Sequence, residues 1–263
     1  MATTSKIEWT EQTWNPVTGC TKVSPGCKHC YAETMAVRLQ AMGAPGYENG
    51  FKVSLMPDRL EQPMGRKKPT VYFVNSMSDL FHEEVPFDYI DRVFDTIRAT
   101  PHHTYQVLTK RALRMGEYFE TRVVPENAWI GVSVEDRKYG KPRIGILQTI
   151  KAKTRFLSVE PFLEDLGQIR LKGIHWVIAG GESGQGARPM QAEWVVNVRN
   201  QCLEKGVNFF FKQWGAFGED GAKRNKKANG RVLDGATWDM IPARLLPNSN
   251  SAMELRQRLF YNQ

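Results

Sequence analysis

The feature that most constrains the fold of this chain is a series of short apolar runs separated by amphipathic segments. The runs are rich in β-branched and aromatic residues and mostly lack polar alternation, which is typical of strands buried on both faces. Six of them follow one another along the chain: Val71–Val74, Tyr105–Leu108, Trp129–Val132, Arg155–Leu157, His175–Ala179 and Asn208–Phe211. A further strand is possible before Cys20. The pattern therefore predicts a sheet of buried, parallel strands.

Between these runs, apolar residues recur at the spacing of a helix. Such stripes predict helices over Phe87–Ile97, Ile144–Ile150 and Trp194–Cys202, and another one directly after Cys30. Strands that alternate with helices indicate βαβ units. We predict an α/β fold, a partial (β/α)6 TIM-like barrel, over residues 1–215. Residues 216–263 are predicted to form a small C-terminal appendage packed on the barrel, with a final helix at Met253–Leu259.

Composition agrees with one large folded unit. Of the 263 residues, 41% are hydrophobic and 24% are charged, as in ordinary globular domains. No apolar run approaches the roughly 18 residues of a membrane span, and the N-terminus lacks a signal-peptide pattern, so we expect a cytoplasmic protein without membrane contact. The net charge of +8 favours a nucleic-acid partner. The alternative is that the basic runs Arg66–Lys68 and Lys223–Lys227 are solvated loops.

Polar or small residues follow nearly every predicted strand. In a parallel barrel, the carboxyl ends of the strands converge on one face, and that face carries the active site. The residues concerned are Asn75, Ser76 and Asp79, then Lys110 and Arg111, then Ser133 and Glu135, then Ser158 and Glu160, then Gly180, Gly181 and Glu182, and finally Lys212 and Gln213. Six such strand ends favour an enzyme over a scaffold, although no residue is assigned as catalytic.

The strand-end cations Lys110, Arg111 and Lys212 are candidates for binding an anionic substrate or the carboxylate of a cofactor. The alternative is that they form ion pairs with the strand-end carboxylates inside the barrel. Common nucleotide and hydrolase motifs do not support a different chemistry. The chain has no Walker A motif, no complete G-x-G-x-x-G and no complete nucleophile elbow, so phosphate transfer, hydride transfer and serine hydrolysis lose support.

Three of the four cysteines, Cys20, Cys27 and Cys30, lie within eleven residues of each other in a loop that precedes a predicted helix. Thiolates on such a loop can converge on one metal centre, and the N-terminus of the helix favours their negative charge. Three protein ligands would leave one iron of an iron–sulfur cluster open. Structural zinc is the alternative, with a histidine or Cys202 as the fourth ligand. Cys202 lies on an apolar stripe, where a buried core thiol is expected.

Several segments match one known pattern along almost the whole chain. They are Ile7–Thr10, Trp14–Cys20, Cys27–Glu33, Asn75–Phe81, Gly131–Glu135, Ser158–Pro161, Gly180–Ser183 and Phe211–Gly215. Together they resemble a phage-associated three-Cys-motif family of largely unknown function that is similar to radical S-adenosylmethionine (SAM) enzymes. The first cysteine spacing is six residues rather than the three of most radical-SAM enzymes, and His29 stands where an aromatic residue is usual before the last cysteine.

The resemblance implies a 4Fe–4S cluster and SAM as cofactors, with a low-potential electron donor as a partner. Cys20, Cys27 and Cys30 would bind the cluster, and SAM on the open iron would be cleaved to methionine and a 5′-deoxyadenosyl radical. The residues implied to face SAM are Asn75, Ser76 and Asp79 near its amino group, Ser133 and Glu135 near its ribose or carboxylate, Glu160 on the next strand, and Gly180, Gly181 and Glu182 near the adenine or the substrate.

The function implied is radical chemistry on a nucleic acid or nucleotide, either modification or DNA repair. Trp214 and Trp238 near the basic run Lys223–Lys227 are candidates to stack on bases. The alternative is that both tryptophans pack the appendage onto the barrel. The candidate substrate-binding residues are Lys110, Arg111, Lys212, Gln213 and Trp214. The alternative function is a non-catalytic, nucleic-acid-binding phage protein that is stabilised by zinc or by a cluster.

Overall fold

The computed structural model describes residues 3–5 and 7–242. Its strands are β1 (Thr3–Thr4), β2 (Gln12–Trp14), β3 (Val17–Thr18), β4 (Ser54–Leu55), β5 (Val71–Val74), β6 (Thr104–Thr109), β7 (Ala128–Ser133), β8 (Thr154–Val159), β9 (Trp176–Gly180), β10 (Asn208–Gln213), β11 (Val232–Leu233) and β12 (Ala236–Thr237). The six predicted strands are confirmed as β5 to β10. The possible strand before Cys20 is β2, which continues the same sheet.

Helices connect the strands of this sheet. They are α1 (Tyr31–Ala41), α2 (Phe87–Ala99), α3 (Ala112–Glu120), α4 (Arg137–Thr149), α5 (Ala192–Glu204) and α6 (Lys226–Asn229). The helices predicted from apolar stripes are confirmed as α1, α2, α4 and α5. Helix α3 was not predicted, because it is short and contains Gly116, a weak helix former. The helix predicted at Met253–Leu259 lies outside the described residues.

The main sheet has the order β1-β2-β5-β6-β7-β8-β9-β10, and every pair is parallel except the edge pair β1–β2. Successive strands therefore lie side by side in chain order, as in a barrel. The sheet curls into a half-barrel of seven parallel strands, and the predicted fold class is confirmed. Alternate residues such as Val107, Ile130 and Val177 face outward and pack against the helices in the largest apolar cluster.

The inner face of the half-barrel is closed by aromatic residues at the amino ends of the strands. Trp176 on β9 lies at the centre of this aromatic cluster, with ring centroids 5.8 to 6.1 Å from its neighbours. Those neighbours are Trp9, Trp129, Phe156 and Phe210. All five side chains are at most 4% exposed. This end of the half-barrel is therefore a packed core and leaves the opposite end for a site.

The segment after β10 folds back along the free edge of this strand, with an antiparallel bridge between Phe210 and Asp239. The hairpin β11–β12 turns at Asp234, whose φ is +53°, and Gly235. Backbone hydrogen bonds join Phe211 N to Trp238 O at 2.9 Å and Met240 N to Phe209 O at 3.1 Å. None of the helices in the described part of the chain is long and apolar enough to cross a membrane.

Candidate active site

The carboxyl end of the inner face carries polar side chains, in contrast to the aromatic end. Because side chains alternate along a strand, Ser133 and Glu135 follow Trp129 on the same face. The polar side chains that line this end are Lys110 after β6, Ser133 and Glu135 on and after β7, Ser158 and Glu160 on and after β8, and Lys212 on β10. They belong to four of the predicted strand ends, three of them on the neighbouring strands β6, β7 and β8.

The cysteine loop, residues 20–30, begins beside this polar end. Gly19 has a φ of +78°, and a side chain there would run into the backbone of Lys52, so only glycine fits. Its amide donates to Met77 O at 3.1 Å, and the amide of Cys20 donates to Phe51 O at the same distance. These bonds fix the start of the loop against the turn after β5 and against the segment that precedes β4.

The three clustered cysteines are all free thiols and partly buried. Cys27 ends a short 3-10 helix that begins at Pro25, and Cys30 is the cap residue immediately before α1. Burial raises the pKa of the Cys20 thiol to about 11, with a further contribution from Asp79, while Arg111 opposes the shift. The fourth cysteine, Cys202, is fully buried on α5, so the predicted core position is confirmed.

Arg111 is the main side-chain contact of the loop with the sheet. Its Nη1 donates to Cys20 Sγ and to Asp79 Oδ2, both at 3.4 Å. Its Nη2 donates to the hydroxyl and carbonyl oxygens of Thr21 at 2.9 and 3.2 Å, and its Nε donates to Glu83 at 2.8 Å. Burial alone would lower the pKa of Arg111, but Asp79, Cys20 and Glu83 raise it above its ordinary value. The guanidinium therefore stays charged.

Glu135 is the most unusual side chain of the polar end. Its side chain is 0% exposed, and neither carboxylate oxygen has a hydrogen-bond partner among the described residues. Two cations are near: Arg143 Nη1 lies 3.4 Å from Oε1 and Lys110 Nζ lies 3.9 Å from Oε2. A side chain on Gly26 of the cysteine loop would collide with Oε2. The carboxylate thus lies directly against the loop.

The strand-end lysines form ion pairs inside the half-barrel. Lys110 Nζ donates to Ser133 Oγ at 3.1 Å in addition to its contact with Glu135. Lys212 Nζ lies 3.1 Å from Oε1 of Glu160. The other carboxylate oxygen of Glu160, Oε2, accepts a hydrogen bond from Ser158 Oγ at 3.3 Å. The alternative role of these cations, pairing with strand-end carboxylates, is the one that the structure shows.

The turn after β5 holds the loops of this end together. Asn75 has a φ of +59°, its Oδ1 accepts from the amide of Val17 at 3.3 Å, and its buried Nδ2 has no partner among the described residues. Ser76 O accepts from the hydroxyl of Tyr31 on α1 at 2.5 Å. Asp79 accepts from Thr109 Oγ1 at 2.7 Å and from the Lys110 amide at 3.0 Å. Asp79 therefore already has several donors.

The turns after β9 and β10 pack against each other. The amide of Gly181 donates to Gln213 O at 3.0 Å, and Gln213 Nε2 donates to Gly181 O at 3.1 Å. A side chain on Gly181 would run into Trp214 O, and one on Gly180 would run into Glu160. Gly181 allows two turns of the protein itself to approach closely, and Gly180 leaves room for the Glu160 side chain. The predicted approach of these glycines to the adenine or the substrate stays a prediction.

Glu182 and the two tryptophans are engaged in packing. Burial alone would raise the pKa of Glu182, but hydrogen bonds from Arg188, the shortest at 2.7 Å, lower it below its ordinary value. Trp214 is 2% exposed, and its Nε1 donates to Val232 O at 2.7 Å. Trp238 Nε1 donates to Leu233 O at 3.1 Å. In this structure both tryptophans have the packing role, and the ring of Trp214 is not available for stacking on a base.

Sequence reasoning missed several contributors to the site. Arg143 lies inside α4, so it does not directly follow a strand as the predicted site residues do. At Gly26 the sequence indicates only a loop. Thr21 and Glu83 were missed because their roles depend on the position of Arg111. In the described residues, no group of three or more His, Cys, Asp or Glu side chains is arranged to hold a single metal ion.

Comparisons with known structures give partial matches. This chain is similar to a spore photoproduct lyase complexed with dinucleoside spore photoproduct, with 12% identity and a TM-score of 0.49 over 76% of this chain and 63% of that one. A mutant of spore photoproduct lyase with bound AdoMet and dinucleoside spore photoproduct matches at 13% identity and a TM-score of 0.48, over 80% of this chain and 58% of that one. The chain thus spans about three fifths of the length of these structures.

No curated protein matches the sequence. One family model does match, over residues 4–242, and it is described as a protein of unknown function, DUF5131. That match covers most of the chain, including the cysteine loop and all strands of the half-barrel from β2 to β10. The chain therefore belongs to the DUF5131 family.

Proposed function

We propose that this protein is an iron–sulfur enzyme of the radical-SAM type that acts on a nucleic acid or nucleotide. Cys20, Cys27 and Cys30 would hold a 4Fe–4S cluster, and SAM would occupy the iron that has no protein ligand. One observation carries the proposal. A loop with three free thiols lies against the fully buried carboxylate of Glu135, which lacks a hydrogen-bond donor among the described residues, at the active-site end of a half-barrel.

The donor set fits such a cluster. Soft thiolates select iron–sulfur clusters, zinc or copper, and three of them leave one iron of a four-iron cluster open. In a cluster, each thiolate binds a different iron, so the three thiols need not converge on one point as they would for a single zinc ion. The cysteine loop also keeps its thiols partly exposed and free of disulfide bonds. Both properties favour a cluster over structural zinc.

When bound, the reduced cluster and SAM supply a 5′-deoxyadenosyl radical that abstracts hydrogen from a substrate. The residues of this chain would bind and orient SAM. The two oxygens of Glu135 would accept hydrogen bonds from the hydroxyl or amino groups of SAM, since a buried carboxylate without hydrogen bonds is costly until a donor reaches it. Ser133, Glu160 and Lys212 would form the polar surface beside it. Gly26 lets the cysteine loop lie against the Glu135 carboxylate without a collision.

A nucleic-acid substrate agrees with the distribution of charge. The net charge is +8, while Lys110, Lys212 and Arg111 are neutralised by carboxylates inside the site. The excess positive charge therefore lies outside the half-barrel. It includes the exposed run Lys223–Lys227, which follows β10 in the chain and in which Arg224 pairs with Asp220 and Lys226 with Glu8. The phosphates of a nucleic acid would therefore bind positively charged residues outside the half-barrel rather than the strand-end lysines.

Anaerobic purification tests the proposal. We expect about four irons per chain and a broad absorbance at about 400 nm. With dithionite and SAM, the protein should release 5′-deoxyadenosine, and Cys27→Ala should lose both iron and cleavage. Cys202→Ala is the matched control, because that thiol is buried in the core away from the loop, and it should keep the iron.

The outcome against the proposal is a colourless protein with one zinc ion per chain, which would support the non-catalytic alternative. The substrate class is tested separately. Release of 5′-deoxyadenosine should increase when single-stranded DNA, duplex DNA or RNA is added, and binding should weaken steeply with salt, as phosphate contacts require. Salt-independent binding would argue against a nucleic-acid substrate.

A further inference from the structure

The position of Arg111 in the fold separates it from the other strand-end cations. It lies between β6 and α3, and its side chain is 4% exposed. Its amide donates to Thr109 Oγ1 at 2.8 Å, and Thr109 in turn donates to Asp79. The backbone that carries Arg111 is thus fixed to the turn after β5. Its side chain extends from there to the cysteine loop.

The guanidinium of Arg111 has no donor left for a substrate. An arginine offers five N–H groups in a fixed fork. Here they face acceptors on four residues: the sulfur of Cys20, both oxygens of Thr21, and the carboxylates of Asp79 and Glu83. A substrate phosphate would have to displace one of these partners. The arrangement therefore points to a role within the protein rather than to substrate binding.

Two consequences follow for Cys20. The bonds to Thr21 hold the residue next to the cysteine, so the loop is fixed to the sheet at its first ligand position. The bond from Nη1 to Sγ also places a positive charge beside the sulfur. Hydrogen bonds to the sulfurs and nearby charge set the reduction potential of an iron–sulfur cluster, because reduction adds negative charge that they stabilise.

We propose that Arg111 is a positioning residue that fixes Cys20 in the cysteine loop and raises the reduction potential of the cluster, an inference that rests on the function proposed above. The couple concerned transfers one electron. A low-potential donor gives its electron to the cluster and is oxidised, and Arg111 neither gains nor loses a proton. Lysine would not replace arginine fully, since a single ammonium lacks the fork that reaches Thr21, Asp79 and Cys20 together.

The test compares midpoint potentials, measured by EPR-monitored redox titration of the reconstituted protein without SAM. Arg111→Gln should lower the reduction equilibrium constant about tenfold, which is about 59 mV for a one-electron couple. Arg111→Lys should shift the potential in the same direction but less. Arg114→Gln is the matched control, because it removes an arginine three residues away, in α3, whose side chain contacts Val85 O and the ring of Phe87 instead of the loop.

A second measurement addresses the positioning role in the absence of iron. In the cluster-free protein, Arg111→Gln should raise amide hydrogen exchange in the cysteine loop about tenfold over Arg114→Gln, as expected for the loss of a charge-assisted hydrogen bond. Unchanged exchange would overturn the positioning role. Equal potentials in the wild-type protein and Arg111→Gln would overturn the role in reduction.

The failure of the inference is distinct from that of the proposed function. If the wild-type protein assembles a cluster and Arg111→Gln has the same potential, only the inference is wrong. If the wild-type protein assembles no cluster, the proposed function is wrong and the effect on potential falls with it. If Arg111→Gln alone loses its iron, the potential of Arg111→Lys decides the question.

Discussion

The two ends of the half-barrel are made by the same strands with opposite kinds of side chain. At the amino end, Trp129 and Trp176 pack edge to face within the aromatic cluster. At the carboxyl end, the same two strands lead to Glu135 and to the Gly180–Gly181 turn, with a buried charge and close backbone contacts. One end removes aromatic surface from water, and the other holds charged groups in a costly environment. The difference suggests that stability comes from the first end and chemistry from the second.

The alternation within single strands explains how one sequence serves both ends. On β7, the inner face changes from Trp129 through Gly131 to Ser133. A side chain on Gly131 would collide with the ring of Phe156 on β8, so the glycine lets this ring lie across the barrel. On β7, the boundary between the aromatic and polar layers is therefore built into the sequence of the strand itself.

The largest effect is expected at the aromatic end. Trp176→Ala removes a fully buried ring in contact with four other rings, and also the hydrogen bond from its Nε1 to Met240 O at 2.9 Å. We expect the free energy of unfolding in urea to fall by about 3–5 kcal/mol. Leu113→Ala, at a side chain that is 73% exposed, should change it by less than about 0.5 kcal/mol. If Trp176→Ala lowered the free energy of unfolding by less than about 1 kcal/mol, the aromatic end would not be the stabilising end of the half-barrel.

The second effect tests the polar end by binding rather than by stability. Glu135→Gln keeps the size of the side chain but replaces the carboxylate, whose oxygens have no hydrogen-bond donor among the described residues, by a neutral amide. We expect the affinity of the reconstituted protein for SAM, measured by calorimetry, to fall by about 1.5–3 kcal/mol. Glu126→Gln is the control, since Glu126 is an exposed residue at the amino end of β7. Equal affinities in the two variants would show that the polar end does not bind SAM through Glu135.

The strands could be predicted from the sequence because each is short, apolar and buried on both faces. The strand-end rule also selected Glu135, Ser133 and Lys212 from local sequence alone. What could not be predicted is how the cysteine loop meets these ends. Arg111 and Cys20 are 91 residues apart in the chain, and no local pattern records their contact. The same holds for Gly26, whose importance depends on a carboxylate of another strand.

A third effect concerns the close contact between Gly26 of the cysteine loop and the carboxylate of Glu135. In Gly26→Ala, the added methyl group would collide with Glu135 Oε2, and the carboxylate is confined by Arg143 and Lys110. We expect a loss of about 1–3 kcal/mol in the free energy of unfolding. Gly65→Ala is the control, because open space surrounds that position. In a double-mutant cycle, the cost of Gly26→Ala should shrink in a Glu135→Ala background, and an undiminished cost would place the collision elsewhere.

The smallest effect is a pH dependence at the amino end, where His103 precedes β6. Burial lowers the pKa of His103 below its ordinary value of 6.5, and neighbouring His102 lowers it further, while the bond from its Nε2 to Pro63 O opposes the shift. The unfolded chain therefore binds a proton at a pH where the folded chain does not. Stability should be fully present above about pH 6.5 and should decline as the pH falls toward the lower folded pKa.

His103→Asn should flatten this part of the curve of unfolding free energy against pH, by on the order of 1 kcal/mol or less. The matched comparison is His102→Asn, because His102 is exposed and directly adjacent. Since His102 contributes only part of the lowering of the His103 pKa, its loss should reduce the slope less than the loss of His103 itself. Urea unfolding of the iron-free protein between pH 5 and 8 measures both variants. If His103→Asn also changed the affinity for SAM, the two ends of the half-barrel would be coupled, and the division between a stabilising end and a binding end would have to be given up.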